Sequence, residues 1–296
     1  MHDIKLKLKR MKSYFIILLF SVLNLSYYYE DVNGQSQWLD YGEGNSVSIE
    51  FCKPFIQRDS IGTLLTPGFS ALSGALFITG RYNVHKNITL VGELPLVNGK
   101  FEYDDDDLNN KSENGVKFGN PYIGAEYSLP KSPLLFELGL RIPLVQQDPI
   151  VGTLVGVRAD IDRSEAFFKD IVPVYGAVNF ETVTESNILF KLRAGGNVWF
   201  NARKFGFDSP QVFSVDYTLQ TGYMDKRVNV ILGLTGRYDS DSGPQYPDKY
   251  TFLQYGIMIT VPYKNLRPSF SVRVPGEDAD QFFNYVVAFN LTYGFE

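Results

Sequence analysis

The chain has 296 residues, 44% of them hydrophobic and 15% aromatic, yet its mean hydropathy is only −0.12. Apolar residues are abundant without forming the runs of roughly 20 that a bilayer-spanning helix needs, which excludes a helical membrane protein. The formal net charge of −5 excludes the basic face of a nucleic-acid binder, and the single cysteine, Cys52, excludes an internal disulfide.

The first element is a basic stretch (Lys5, Lys7, Lys9, Arg10, Lys12) followed by an apolar run from Tyr14 to Leu25. This is the pattern of a secretory signal peptide over residues 1–34, with cleavage after Val32-Asn33-Gly34 and a mature chain from Gln35. The alternative, a retained anchoring helix, has too few apolar residues to span a bilayer. Cleavage removes five basic and three acidic residues and moves the formal charge from −5 to −7. Cys52 lies far beyond the apolar run, so it is no lipoprotein cysteine and reads as a small apolar filler.

From residue 45 onward the dominant signal is alternation with period two. It is clearest at the end of the chain, where Phe283, Tyr285, Val287, Phe289, Leu291, Tyr293 and Phe295 share one face and Asn284, Ala288, Asn290, Thr292 and Gly294 the other. No helix separates those two sets. Such runs predict about twelve strands, near 45–52, 70–82, 88–97, 119–129, 133–145, 171–182, 187–200, 211–223, 228–238, 250–261, 267–275 and 282–295. Most reach the roughly 9 to 11 residues of a tilted membrane-crossing strand.

Short connections (83–87, 130–132, 183–186, 224–227, 262–266) alternate with long ones (53–69, 98–118, 146–170, 201–210, 239–249, 276–281). Short periplasmic turns and long extracellular loops are the asymmetry of an outer-membrane barrel. Tyr82, Tyr127, Tyr223, Tyr263 and Tyr293 stand beside the short turns, where an aromatic ring suits the lipid–water interface. A soluble β-sandwich also alternates, but its apolar faces point inward and its long loops need not share one end. The fold class expected is therefore all-β, a transmembrane antiparallel up-and-down β-barrel of about twelve strands over residues 35–296, in a Gram-negative outer membrane.

With the apolar faces toward lipid, parity assigns twelve charged residues to the lumen: Glu50, Arg81, Glu93, Glu126, Glu137, Arg141, Glu181, Lys191, Arg193, Asp216, Arg237 and Arg273, six acidic and six basic. They read either as a salt-bridged filling that stiffens the barrel or as a polar constriction that selects solutes. In the second case Lys191, Arg193, Arg237 and Arg273 face Glu50, Glu93, Glu126 and Glu137 and set a transverse field. In the third long loop, Asp162-Arg163-Ser164-Glu165 reads as a helix start, either folded into the mouth or facing solvent. Glu102 and Asp104 to Asp107 form an acidic run in the second loop, read as a solvated tip, with divalent-cation or lipopolysaccharide contact as the alternative. His85, the mature chain's one histidine, falls in a periplasmic turn, and no cluster has metal-ligand spacing. No catalytic, metal or cofactor site is expected, and the chain reads as a non-enzyme.

Arg81-Tyr82-Asn83-Val84-His85-Lys86-Asn87-Ile88-Thr89-Leu90-Val91-Gly92-Glu93-Leu94-Pro95 resembles a hairpin of the transporters of aromatic-compound (phenol meta-pathway) degradation, distant relatives of the long-chain fatty acid channels. Gly119-Asn120-Pro121-Tyr122-Ile123-Gly124-Ala125-Glu126-Tyr127 resembles their next strand. A charged-apolar-Pro ending recurs at Glu93-Leu94-Pro95, Arg141-Ile142-Pro143 and Arg273-Val274-Pro275, at the outer ends of strands where proline leaves a central ladder intact. The resemblance implies passive uptake of small hydrophobic molecules. Residues 35–44 are too few for the N-terminal hatch of the fatty acid channels, so that gating does not carry over. Phe295, one place before Glu296, stands near the aromatic terminus that barrel-assembly machinery reads. That machinery, outer-membrane lipid, lipopolysaccharide and small solutes are the expected partners. A passive channel is the leading functional expectation, and a structural or secretion-accessory barrel acting through its loops is the alternative.

Overall fold

The computed structural model describes residues 38–42, 44–55, 73–103, 111–145, 152–202, 212–240, 251–276 and 284–296. The expected signal peptide (1–34) and the acidic run 104–107 lie outside the described residues. Among the described residues there are thirteen strands: β1 (Asn45–Phe55), β2 (Gly74–His85), β3 (Ile88–Tyr103), β4 (Lys111–Phe118), β5 (Tyr122–Ser128), β6 (Leu134–Arg141), β7 (Ile171–Val183), β8 (Ile188–Asn201), β9 (Val212–Met224), β10 (Asn229–Asp239), β11 (Thr251–Thr260), β12 (Leu266–Pro275) and β13 (Tyr285–Phe295). β4 and β5 both pair with β3 and occupy one place in the ring, so the closed antiparallel barrel has 12 strands. Closure runs through β1 and β13, in unbroken register from Asn45↔Phe295 to Phe55↔Tyr285. With every ring strand paired on both sides, the backbone groups of the wall are satisfied without water, which is the condition for crossing a bilayer in β structure.

Alternation decides which way each strand faces. Along β6, Phe136, Leu138 and Leu140 are exposed while Leu135, Glu137 and Arg141 are buried, and β13 exposes Phe289, Leu291 and Tyr293 while burying Ala288, Asn290 and Thr292. The barrel thus turns large apolar side chains outward and polar ones inward, the inverse of a soluble sandwich. Tyr82, Tyr127, Tyr223, Tyr263 and Tyr293 are all exposed, at the end that carries the short connections. The tight turns at that end place Lys131, Asn187 and Lys264 at positive φ of 58°, 64° and 53°. Asn tolerates that region better than most residues.

The strands depart from the sequence reading most clearly at β3 and at β6. β3 does not end near residue 97 but continues to Tyr103 against β4, so much of the expected loop 98–118 is a hairpin. Pro95 therefore lies within β3, yet breaks no ladder. Its carbonyl accepts from the Gly119 N–H (2.9 Å), so its missing N–H falls at the Gly119-Asn120-Pro121 interruption between β4 and β5. β6 as a regular strand ends at Arg141 rather than near 145, although Ile142 and Leu144 stay exposed on the outward face and the Ile142 N–H still donates to the Pro121 carbonyl (2.8 Å).

Leu138→Arg places a charge on the most exposed apolar position of the β6 face. Unfolding in lipid vesicles is expected to show about 2–4 kcal/mol of destabilisation, the cost near the bilayer midplane.

Candidate functional site: a segment folded into the barrel interior

Beyond β6, residues 152–167 form consecutive short helical turns, Gly152–Gly156, Val157–Ala159 and Ile161–Phe167. At the kink Asp160 is extended (φ −154°, ψ 102°), and its Oδ1 accepts from the Asp162 N–H at 3.1 Å, capping the last turn. Of the two readings the sequence allowed, the structure takes the inward one. Val155, Val157, Ala159, Ile161, Ala166 and Phe167 are buried in one cluster with Cys52, Ala75, Phe77, Val97, Phe252, Val286 and Ala288 of the wall. Small residues at 52, 75 and 288 leave the room that the segment fills. Phe167 meets Phe77 edge-on at 5.9 Å.

The other side of the segment is ionic, and Arg163 is its hub. Its guanidinium bonds Glu93 (2.9 Å) on β3, Asp160 (2.9 and 2.5 Å) and Glu50 on β1, and lies 3.6 Å above the Phe77 ring. Asp160 is shared with Arg273 of β12 (3.2 Å), which also reaches the Ala159 carbonyl (3.2 Å). Glu165 pairs with Arg237 of β10 and accepts from Asn197 of β8 at 3.1 Å. Asp162 accepts from Gln254 of β11 at 3.1 Å. A buried ion is tolerable only when its charge and its hydrogen-bonding capacity are both met, and the planar five-donor guanidinium does this for several carboxylates at once.

All twelve charged residues assigned by parity are buried or half-buried in the barrel. Glu50, Glu93, Arg237 and Arg273 touch the inserted segment directly. Arg141 supports them, donating to Glu93 Oε1 at 2.9 Å. The others pair along the wall: Arg81 with Glu126 in bidentate form (2.8 and 2.5 Å), Arg193 with Glu137 (2.6 Å) and Lys191 with Glu181 (3.5 Å). Asp216 accepts from Asn197 at 3.4 Å. The opposed rows expected to set a transverse field are not separated: Arg193 and Glu137 are bonded to each other, and Arg237 and Arg273 are neutralised by Glu165 and Asp160 of the segment. The sequence pattern does not point to Asp160, and it presents Glu165 and Asn120 only as members of longer motifs, without an ionic or hydrogen-bonding role in the interior. The charged-apolar-Pro repeat was their available signal, since its charged members Glu93, Arg141 and Arg273 stand at the level of the segment.

Between the segment and the far wall lies a polar cavity of about 30 Å³, bounded by Asp162 and Arg163 on one side and Glu137, Arg141, Arg193 and Asp216 on the other. That is room for about one water molecule. A second obstruction sits at the turn end. Trp38 is buried with Val183, Leu189, Ile231 and Met258, and Tyr41 lies 4.8 Å beneath the Arg81 guanidinium. Asp40 accepts from Asn229 (2.8 Å) and Arg267 (3.0 Å). Gly42, at φ +66°, is needed where a Cβ would strike the Arg267 guanidinium. The N-terminal stretch is short, as its length implied, yet residues 38–42 enter and fill the barrel end.

These features define a membrane-spanning β-barrel whose interior is occupied at two levels by segments of its own chain. No protein-family model and no curated protein sequence matches the chain. Among solved structures it is similar to the COG4313 outer membrane channel from Pseudomonas putida F1, with 12% identity over 90% of this chain and 100% of that one and a TM-score of 0.55. LpxR from Salmonella typhimurium is 13% identical over 84% and 100%, with a TM-score of 0.46. A Pseudomonas aeruginosa FadL homologue is 8% identical over 85% and 90%, with a TM-score of 0.39. At these identities the likeness to the Pseudomonas putida channel is one of fold, that of outer-membrane β-barrels.

Two measurements probe the segment. Arg163→Met leaves Glu50, Glu93 and Asp160 without their shared cation and is expected to shift seating of the segment by about 3–5 kcal/mol toward release. The readout is rapid tryptic cleavage after Arg158, which lies on the segment. The second concerns Asp162, whose carboxyl is pushed up to about 7, first by burial and then by Asp160, with Asp216 adding and Arg273 opposing. Released into water, it titrates at its ordinary value of 3.8. The seated form therefore holds a proton that the released form gives up, and seating weakens as pH rises from about 4 to about 7. Planar-bilayer conductance is expected to increase between pH 5 and pH 8, and Asp162→Asn to flatten that profile.

Proposed function

We propose that the chain is a passive outer-membrane channel for small solutes, with a charge-lined interior narrowed by residues 152–167. The observation that carries this reading is the chemistry of the wall behind the obstructions. Ser46, Ser48, Thr79 and Thr260 carry buried hydroxyls on the inward faces of their strands with no hydrogen-bond partner among the described residues. Buried hydroxyls of this kind call for water. A wall that depends on hydration suits a conduit, whereas a purely structural barrel gains more from apolar side chains. Both obstructions lie outside the strands of the ring, so the pairing of the wall does not depend on them. The charged and hydroxylated interior favours water-soluble solutes over the hydrophobic molecules that the sequence resemblance implies. Localisation in the outer membrane is supported by the apolar exterior, the tyrosine girdle and the fold shared with outer-membrane barrels.

Filling at two levels favours a second reading, a structural or secretion-accessory barrel that passes nothing and acts through its loops. Planar-bilayer conductance and liposome swelling separate the two. The channel reading expects small discrete conductance steps from the full chain, and steps several-fold larger when residues 152–167 are replaced by a Gly-Ser linker. No conductance from either protein would establish the structural alternative.

A further inference from the structure

The ionic contacts grip the middle of the inserted segment, but its neck is held elsewhere. Asn120 is fully buried in the Gly119-Asn120-Pro121 interruption between β4 and β5. Its Oδ1 accepts from the Leu144 N–H (2.9 Å) and the Val145 N–H (3.0 Å), just past the end of β6. Its Nδ2 donates to the carbonyls of Glu165 (3.1 Å) and Phe168 (2.6 Å), where the chain returns. A carboxamide has two acceptor positions and two donor hydrogens, and here all four are used. The backbone adds two bonds: its N–H donates to the Ala166 carbonyl (2.6 Å), and its carbonyl accepts from Arg141 Nη1 (3.1 Å). At Gly119 a Cβ would overlap the Ala166 carbonyl oxygen and press on Pro95 and Phe167, so only glycine admits this approach.

All four side-chain partners of Asn120 lie outside the strands, after β6 ends at Arg141 and before β7 begins at Ile171. The carboxamide therefore ties the extension of β6 at Leu144 and Val145 to the returning end of the segment at Glu165 and Phe168. We propose that Asn120 is the clasp that closes the neck of segment 152–167 and keeps it seated, a positioning residue that sets how far the channel is obstructed without touching the solute. The effect on permeation rests on the channel reading, whereas the seating itself does not.

Other side chains cannot do this. Aspartate keeps the two acceptors and loses both donors, so it holds the departing limb and frees the returning one. Leucine has similar size and no hydrogen-bonding capacity, so it frees both.

The chain carries its own reporter. Cys52, its single cysteine, is fully buried in the cluster that the segment covers and lies 3.2 Å from Arg273 Nη2. Its rate of labelling by a small membrane-impermeant methanethiosulfonate is measured on the full chain in detergent or vesicles, and gel mobility before and after heating confirms that the barrel is intact. Labelling of Asn120→Leu is expected to be at least about tenfold faster than wild type, and its conductance several-fold larger. Asn120→Asp should fall between the two. At low pH its carboxyl regains one donor on protonation, so its rate relative to Asn120→Leu should fall toward wild type, a pH response that a general packing defect does not give.

An intact Asn120→Leu barrel with Cys52 as protected as in wild type would overturn the clasp, as would failure of both variants to fold. If wild type conducts while Cys52 stays protected in the variants, the clasp fails and the channel reading stands. Fast labelling with no conductance from any of the proteins supports the clasp and sinks the channel reading.

Discussion

An ionised side chain removed from bulk water must be met by opposite charge and by hydrogen bonds, or it costs several kcal/mol. Inside this barrel that requirement organises everything else. Glu50 and Glu93 stand on the wall, each at a position where an apolar residue would have simplified folding, and they are satisfied by an arginine that belongs to no strand. Arg237 and Arg273 stand in the complementary relation to Glu165 and Asp160. Glu50 and Arg273 make their ion pairs with residues of the segment, so the segment is a counter-ion as much as a filler. Its apolar side, packed over Cys52, Ala75 and Ala288, adds contact area but not the specificity of place.

Much of the barrel was legible from the sequence because it rests on local pattern. Period-two alternation gives strand facing directly, and the tyrosines beside the short turns mark the interface. Parity also placed residues such as Arg81 and Glu126 on the same face. What the pattern could not supply is which of the two faces' charges meet. Arg163 and Glu50 are 113 positions apart, and Asn120 is 45 from Glu165. Neither stretch 38–42 nor 152–168 has a strand periodicity to read, since each is placed by contacts with the wall around it. The helix start at Asp162-Arg163-Ser164-Glu165 was visible, but its direction depended on partners that no local signal names.

The proline placements show the same division. At Arg141-Ile142-Pro143 and Arg273-Val274-Pro275 the proline stands at or just past the end of a strand, as its missing N–H suggests. At Pro95 the strand runs on, because the interruption at Gly119-Asn120-Pro121 removes the neighbour that would have needed that N–H. A local rule about proline therefore held through a tertiary accident of its partner strand, and the same interruption supplies the buried carboxamide on which both limbs of the inserted segment converge.

The wide spread of the Arg163 partners has a consequence for biogenesis. Glu50 comes from the first strand of the ring, Glu93 from the third, and Arg273, which shares Asp160 with Arg163, from the penultimate one, so these groups gather only when the β1–β13 seam has closed. Until then the segment lacks a complete set of counter-charges, and a half-inserted sheet has no docking place for it. Complete seating of the segment thus presupposes a closed seam, which ties the packing of the interior to the last pairing step of the wall.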